Sequence, residues 1–202
     1  RELSAWHRRV RDEAGPTWPA RLVFDRIATP VCAAFGYDIV PAGGSPRLVR
    51  AVLRRDGSTD AAMTAFAWGQ DGGTTWRESV RAGLDAGVRW CYCFAGPWLR
   101  VYDAERTHSR WFAEFDLEAL IERPDTFATA WAVLTGAAAL DLAVARSEQH
   151  RTDVRDSLQA GVHGALTHLT RAFAASTPRV RGGAPDLLDE SLVVVYRVLF
   201  LL

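Results

Sequence analysis

The chain has 202 residues, 49% of them hydrophobic, and 24 basic residues balance 24 acidic ones for a formal net charge of +0. That length suits one α/β domain, or a domain of moderate size plus a helical attachment, and the hydrophobic content is enough for a real core. Zero net charge excludes a global field drawing the chain onto nucleic acid or a membrane and leaves only local patches. Lysine is absent from the sequence, so any catalytic motif that needs one is excluded too.

Three cysteines, Cys32, Cys91 and Cys93, are too few and too odd in number for a disulfide scaffold, and point to a reducing cytoplasm. Cys91 and Cys93 stand two apart in a strand-like run, unlike the usual zinc pairs, and read as small buried hydrophobes. The longest apolar run, Leu192–Leu202, is broken by Arg197 and too short to span a bilayer, so no membrane partner is expected. The chain opens at Arg1 rather than Met. It closes inside an apolar helix with no Gly, Asn or Pro to end it, which reads as a fragment of a longer protein.

In chain order, Glu2–Glu13 has the spacing of a short amphipathic helix. Ala20–Phe35 is helical by its apolar period, with Thr29-Pro30 as a candidate kink and Gly36 as the cap. Pro41–Pro46 reads as a loop. Arg47–Arg55 and Ala61–Trp68 read as two strands joined at Asp56-Gly57-Ser58, a hairpin. Thr74 is positioned to cap a helix through Ala86, with Trp76, Val80 and Leu84 as its buried face and Gly87 as its stop. Arg89–Leu117 is rich in aromatics and predicts a three-strand meander, Arg89–Ala95, Trp98–Asp103 and Ser109–Phe115. The first of these is apolar on both faces, as a central covered strand is. Helices are expected over Asp116–Ile121, Pro124–Gly136 and Ala137 to about Ala175. Ser176–Pro185 is a linker. A last helix from Asp186 is apolar almost all round and is expected to be buried. The domains read as 1–123, an α/β unit, and 124–202, a helical extension.

Chemistry is sparse. The five histidines are scattered, and His163 and His168 are five apart, not the four that brings two rings to one metal. No nucleophile elbow, Walker loop or dinucleotide fingerprint is present. The order helix, hairpin, helix, strand is that of divalent-metal nucleases of the restriction-endonuclease type. Their site needs an acid on one strand and Glu/Asp-x-Lys on the next, so that carboxylates hold the metal and lysine orients water. Phe66-Ala67-Trp68 stands where that triplet would fall. Asp56, Asp60 and Asp71 flank the hairpin as the available acids. Arg47, Arg50, Arg54, Arg55, Arg77 and Arg100 are candidate phosphate contacts.

Three segments carry a resemblance. They are Trp68-Gly69-Gln70-Asp71 with Trp76-Arg77 in the helix after it; Ala86-Gly87-Val88-Arg89-Trp90 through Leu99-Arg100-Val101-Tyr102-Asp103; and Ser109 to Leu117. The closing run from Glu190-Ser191-Leu192 through Tyr196 to Leu202 adds to it. The chain resembles the N-terminal region of large single-chain bacterial restriction–modification and phage-defence DNA methyltransferases, although Ala95-Gly96 stands where they usually carry Asn-Gly. The resemblance implies a restriction-endonuclease-like mixed sheet flanked by helices, active or decayed, ahead of a methyltransferase core that uses S-adenosylmethionine. Neither a loop for that cofactor nor Asn-Pro-Pro-Tyr occurs in this chain, so no cofactor is expected here.

The expectation is a catalytically degenerate nuclease-like domain that contacts DNA or serves as a scaffold. One alternative is a protein-interaction module docking on the rest of the parent chain, or on a partner defence subunit, through Leu192, Val195, Tyr196, Leu199 and Phe200. The other is an active Mg-dependent nuclease using Asp56, Asp60 or Asp71 without lysine.

Overall fold

The computed structural model describes residues 13–107, 112–176 and 184–201. The expected helix over Glu2–Glu13 and the linker residues 177–183 lie outside them. By internal contacts the chain forms two compact units, Arg1–Ala143 and Val144–Leu202.

The first unit is built on a six-stranded mixed sheet whose strands lie in sequence order. Helix α1 (Ala20–Val23) passes through a π-helical turn (Phe24–Ala28) into α2 (Thr29–Ala34). Pro30 has no N–H to return to the turn before it, and its ring crowds the carbonyl there. The chain widens into the π turn just upstream, which takes the place of the expected kink. Gly36 then turns the chain at φ +83°.

Strand β1 (Asp38–Ser45) follows and corrects the loop expected over Pro41–Pro46. It is an edge strand, the one place where Pro41 costs no ladder bond, and its register shifts between Pro41 and Gly43. Gly44 lies so close to the Leu48 carbonyl that no side chain fits there. Strands β2 (Leu48–Arg55) and β3 (Ser58–Phe66) form the expected hairpin, turned by Asp56 and Gly57 with both φ positive. The segment before the crossover is therefore a three-strand meander rather than one hairpin.

Helix α3 (Gly72–Ala86) crosses over and delivers the chain to β4 (Trp90–Phe94), parallel to β3. Its cap is Asp71, not Thr74: the carboxylate accepts from the Gly73 and Thr74 amides at 3.0 and 3.1 Å. Gly87 ends it in the left-handed region at φ +66°. Its buried face also differs from expectation. Thr75, Ser79, Val80, Ala82 and Gly83 face the sheet, while Leu84 is 60% exposed. The reason is close approach: a Cβ on Gly83 would fall on the Cys91 sulfur, so this helix lies on small residues.

Strands β5 (Trp98–Asp103) and β6 (Phe112–Asp116) complete the second meander, antiparallel throughout. β4 is buried along its whole length, as its two apolar faces required. Tyr92 packs on Tyr37 and β4 meets the π-helical turn, while Cys91 and Cys93 meet α3. Asp116 caps α4 (Leu117–Glu122), and α5 (Pro124–Leu134) follows. Phe127 and Trp131 of α5 stack on Phe35, and the Tyr92 hydroxyl donates to the Leu134 carbonyl at 3.2 Å. These contacts carry the first compact unit past the expected boundary at 123, to Ala143.

An ionic knot around the buried Asp103 closes the far end of the sheet. Asp103, almost wholly buried, takes two bonds from Arg89 at 3.0 and 2.7 Å, and Arg89 also holds Asp141 at 2.8 Å. Bonding to Asp103 raises the arginine pKa further, so it stays charged.

Helix α6 (Ala137–Ser176) runs on into the second unit, where α7 (Ala184–Leu201) lies. α7 was expected to be buried. Instead Ser191 and Val195 are buried, while Leu188, Leu192, Val193, Tyr196 and Val198 are exposed. Within the described residues, no single helix is long and apolar enough to cross a membrane; one bent pair, Pro124–Leu134 with Ala137–Ala175, passes by length and composition.

Candidate functional site

A concave surface of the first unit lies where β3 and β4 end and α3 begins. Ligands in α/β sheets gather at the carboxyl ends of parallel strands, because loops converge there and the next helix points its free amides at the same place. Three contacts tie this end together. The Trp68 amide donates to the Trp18 carbonyl at 3.0 Å, the Gly69 amide to the Ala95 carbonyl at 3.1 Å, and the Trp68 ring lies under Gly96. A side chain at Gly96, with φ +117°, would meet that ring.

Two hollows share this end. A cleft of about 620 Å³ lies between the β1–β2 hairpin and the first turns of α3, with Arg47, Arg50, Phe66, Gln70, Thr74 and Glu78 around it. A smaller pocket of about 320 Å³ lies beside it, walled by Gln70, Gly72, Thr75, Cys93, Trp98 and Arg100. Gln70 belongs to both.

Below the pocket runs a polar seam. The Thr64 and Ser79 hydroxyls are 2.7 Å apart, joining β3 to α3. Cys93 touches both, and its burial pushes the thiol pKa up, with hydrogen bonds from Ser79 and Thr64 working the other way. It is therefore an uncharged group at neutral pH.

The six candidate arginines separate. Arg50 bonds Glu78 at 2.7 Å and reaches Asp85 at 3.4 Å. Arg47 is exposed at the hairpin tip and Arg77 is exposed on α3, one turn from Thr74. Arg100 bonds Glu114 at 2.5 Å and lies over Phe112. Arg47 and Arg50 line the cleft and Arg100 lines the smaller pocket, while Arg77 is not in the lining of either. Arg54 instead bonds the Gly57 carbonyl at the other end of β2. Arg55 is on the opposite face, over the Tyr37 ring at 4.4 Å and donating to the Phe35 carbonyl at 2.7 Å.

The three candidate acids do not meet. Asp56 forms the β2–β3 turn. Asp60 pairs with Arg55 at 3.7 Å near the start of β3, and Asp71 caps α3 beyond its end. Six residues of extended chain from Asp60 to Phe66 already span about 20 Å, far beyond any shared ion. Phe66 is buried in the core and Trp68 packs edge-on against Trp18, so aromatic packing fills the place of the acid–lysine triplet. Among the described residues no three His, Cys, Asp or Glu gather as metal ligands. These side chains do not fit a catalytic metal.

Of the interaction-helix candidates, Val195 is buried, Leu192 and Tyr196 are exposed, and the side chains of Leu199 and Phe200 lie outside the described residues. Sequence reasoning missed Gln70, Glu78 and Trp98 as groups at this site. The signal for the first was Asp71-Gly72-Gly73, an Asx cap that fixes where the preceding residue stands. Glu78 and Trp98 had no signal, since their place depends on the packing of α3 across the sheet. No family model, curated protein or solved structure matches the chain.

Proposed function

We propose that the first unit is a catalytically degenerate, restriction-endonuclease-like domain that contacts DNA backbone, and that it serves a bacterial restriction–modification or phage-defence DNA methyltransferase. The observation that carries the reading is the cleft with Arg47 and Arg50 in its lining and Arg77 exposed on the helix that forms one wall. The topology supports it: helix, strands, crossover helix, strand, in one mixed sheet. The dispersal of Asp56, Asp60 and Asp71 supports the loss of catalysis, and no step through a metal is derived. S-adenosylmethionine belongs, on this reading, to the parent enzyme and not to these residues.

Arg50 enters the cleft already matched by Glu78 and Asp85, so affinity is modest and tunable. Binding of duplex DNA should fall with salt at a slope of about −2 to −3 in log–log form, as two to three phosphate contacts require. Glu78→Gln should tighten binding by releasing Arg50, and Arg47→Ala should weaken it. Absence of binding at low salt would sink the reading.

One observation favours a second reading. The apolar side chains exposed along α7, among them Leu188, Leu192 and Tyr196 at helical spacing, are surface that a partner protein, or the rest of the parent chain, would cover. Sedimentation should show association that rises with concentration and is reduced by Leu192→Glu or Val198→Glu; a monomer at all concentrations counts against it.

A further inference from the structure

We infer that the 320 Å³ pocket beside the cleft holds one unstacked nucleobase of a DNA strand. The polymer rests on the reading above; the pocket and its ligand class rest on four observations of their own.

The first is size. The volume sits at the low end for ligand sites, which suits a single ring system and not a duplex. The second is the wall. Trp98 is part of the wall and 40% exposed, and an indole can stack a base of any sequence.

The third is charge. Arg100, the one cation in the wall, is already paired with Glu114, and Asp71 spends its carboxylate at the rim on the cap of α3. The pocket therefore offers no net positive charge to a phosphate. Cys93, held neutral by burial, adds none. What remains is a polar surface: the guanidinium edge of Arg100, its charge offset by Glu114, and the Gln70 amide. A base edge with mixed donors and acceptors matches that surface, and an anion does not.

The fourth is Gln70. Its side-chain amide takes no hydrogen-bond partner among the described residues and lines both hollows. A strand whose backbone lies in the cleft has its next base within reach of this amide, which both donates and accepts. Gly72 keeps the Arg100 edge close. A Cβ there would stand 3.2 Å from its Nη1 and push the guanidinium aside.

Fluorescence anisotropy on the whole chain at low salt tests this with three labelled DNAs of equal length: an intact duplex, the same duplex with one unpaired adenine, and the single strand. The bulged duplex and the single strand should bind roughly 5- to 100-fold more tightly than the intact duplex, the range that stacking of one base on an aromatic ring supplies. 2-Aminopurine at the unpaired position should be quenched on binding. Trp98→Ala should bring the ratio to near one, and Trp98→Phe should restore most of it. Equal binding of all three DNAs, a ratio unmoved by Trp98→Ala, or no binding of any of them overturns the proposal. Binding of the bulged duplex and single strand alone, lost in Trp98→Ala, would leave the pocket standing and remove the duplex cleft.

Discussion

Cys93 lines the pocket, and burial sets its chemistry, opposed by the hydroxyls of Ser79 and Thr64 beside it. All three cysteines share this fate: each is buried and free, and burial raises each thiol pKa, that of Cys91 to about 12. A raised pKa in the folded state means that the fold prefers the neutral thiol. The stability so gained is complete below the unfolded thiol value of about 8.5 and is lost as pH rises towards 12. Tyr92 and Tyr102, also raised by burial, add to the loss above about pH 10. The urea midpoint should therefore fall steadily between pH 8 and 11, and iodoacetamide at pH 8 should label no cysteine until the chain unfolds. A flat profile, or labelling of the folded protein, contradicts this account. The cysteines were readable as small buried hydrophobes from their setting in an aromatic strand. Their hydroxyl partners were not, because Thr64 and Ser79 are brought together by a crossover that local pattern does not encode.

At the scale of elements, α3 is governed by its glycines more than by its apolar stripe. Helix propensity alone favours Gly→Ala by about 1 kcal/mol. At Gly83 the added methyl would collide with the Cys91 sulfur and stand 3.0 Å from the Ala104 Cβ, all inside a closed core. Overpacking of this kind costs about 1–3 kcal/mol, so collision wins and Gly83→Ala should lower stability. Gly164, in α6, has nothing within 4 Å of an added Cβ, and the same change there should raise stability by up to about 1 kcal/mol. Thermal denaturation of the two variants checks the opposite signs. The same logic explains what was legible. The bounds of β5, the covered strand β4 and the cap at Gly87 followed from alternation and glycine. The face of α3 did not, because its Trp76, Val80, Leu84 stripe competes with a row of small residues that allows closer approach. β1 was hidden by Pro41 and the Gly43-Gly44 pair, which signal a loop everywhere except at a bulged sheet edge.

For the whole molecule, the arrangement of the sheet was half visible. Two runs of strands and a helix between them could be read from the sequence, but not that β3 and β4 are the partners that meet. Nor could the reach of the first unit to Ala143, which depends on Phe127, Trp131 and Asp141 finding Phe35 and Arg89. The candidate acids were visible as residues; their separation along β3 was not. One feature of this sheet governs time as well as shape. It consists of two meanders, β1–β3 and β4–β6, joined by a single parallel pairing. Each meander forms from neighbours in sequence and closes short loops, whereas the parallel joint must first gather the whole crossover. The meanders therefore assemble early and the joint locks last. In stopped-flow experiments Gly57→Ala, in the β2–β3 turn of the first meander, should slow refolding. Thr64→Val, at the joint, should act mainly by speeding unfolding. The reverse assignment would mean that the seam beneath the pocket is the nucleus, and that the protein builds its binding end first.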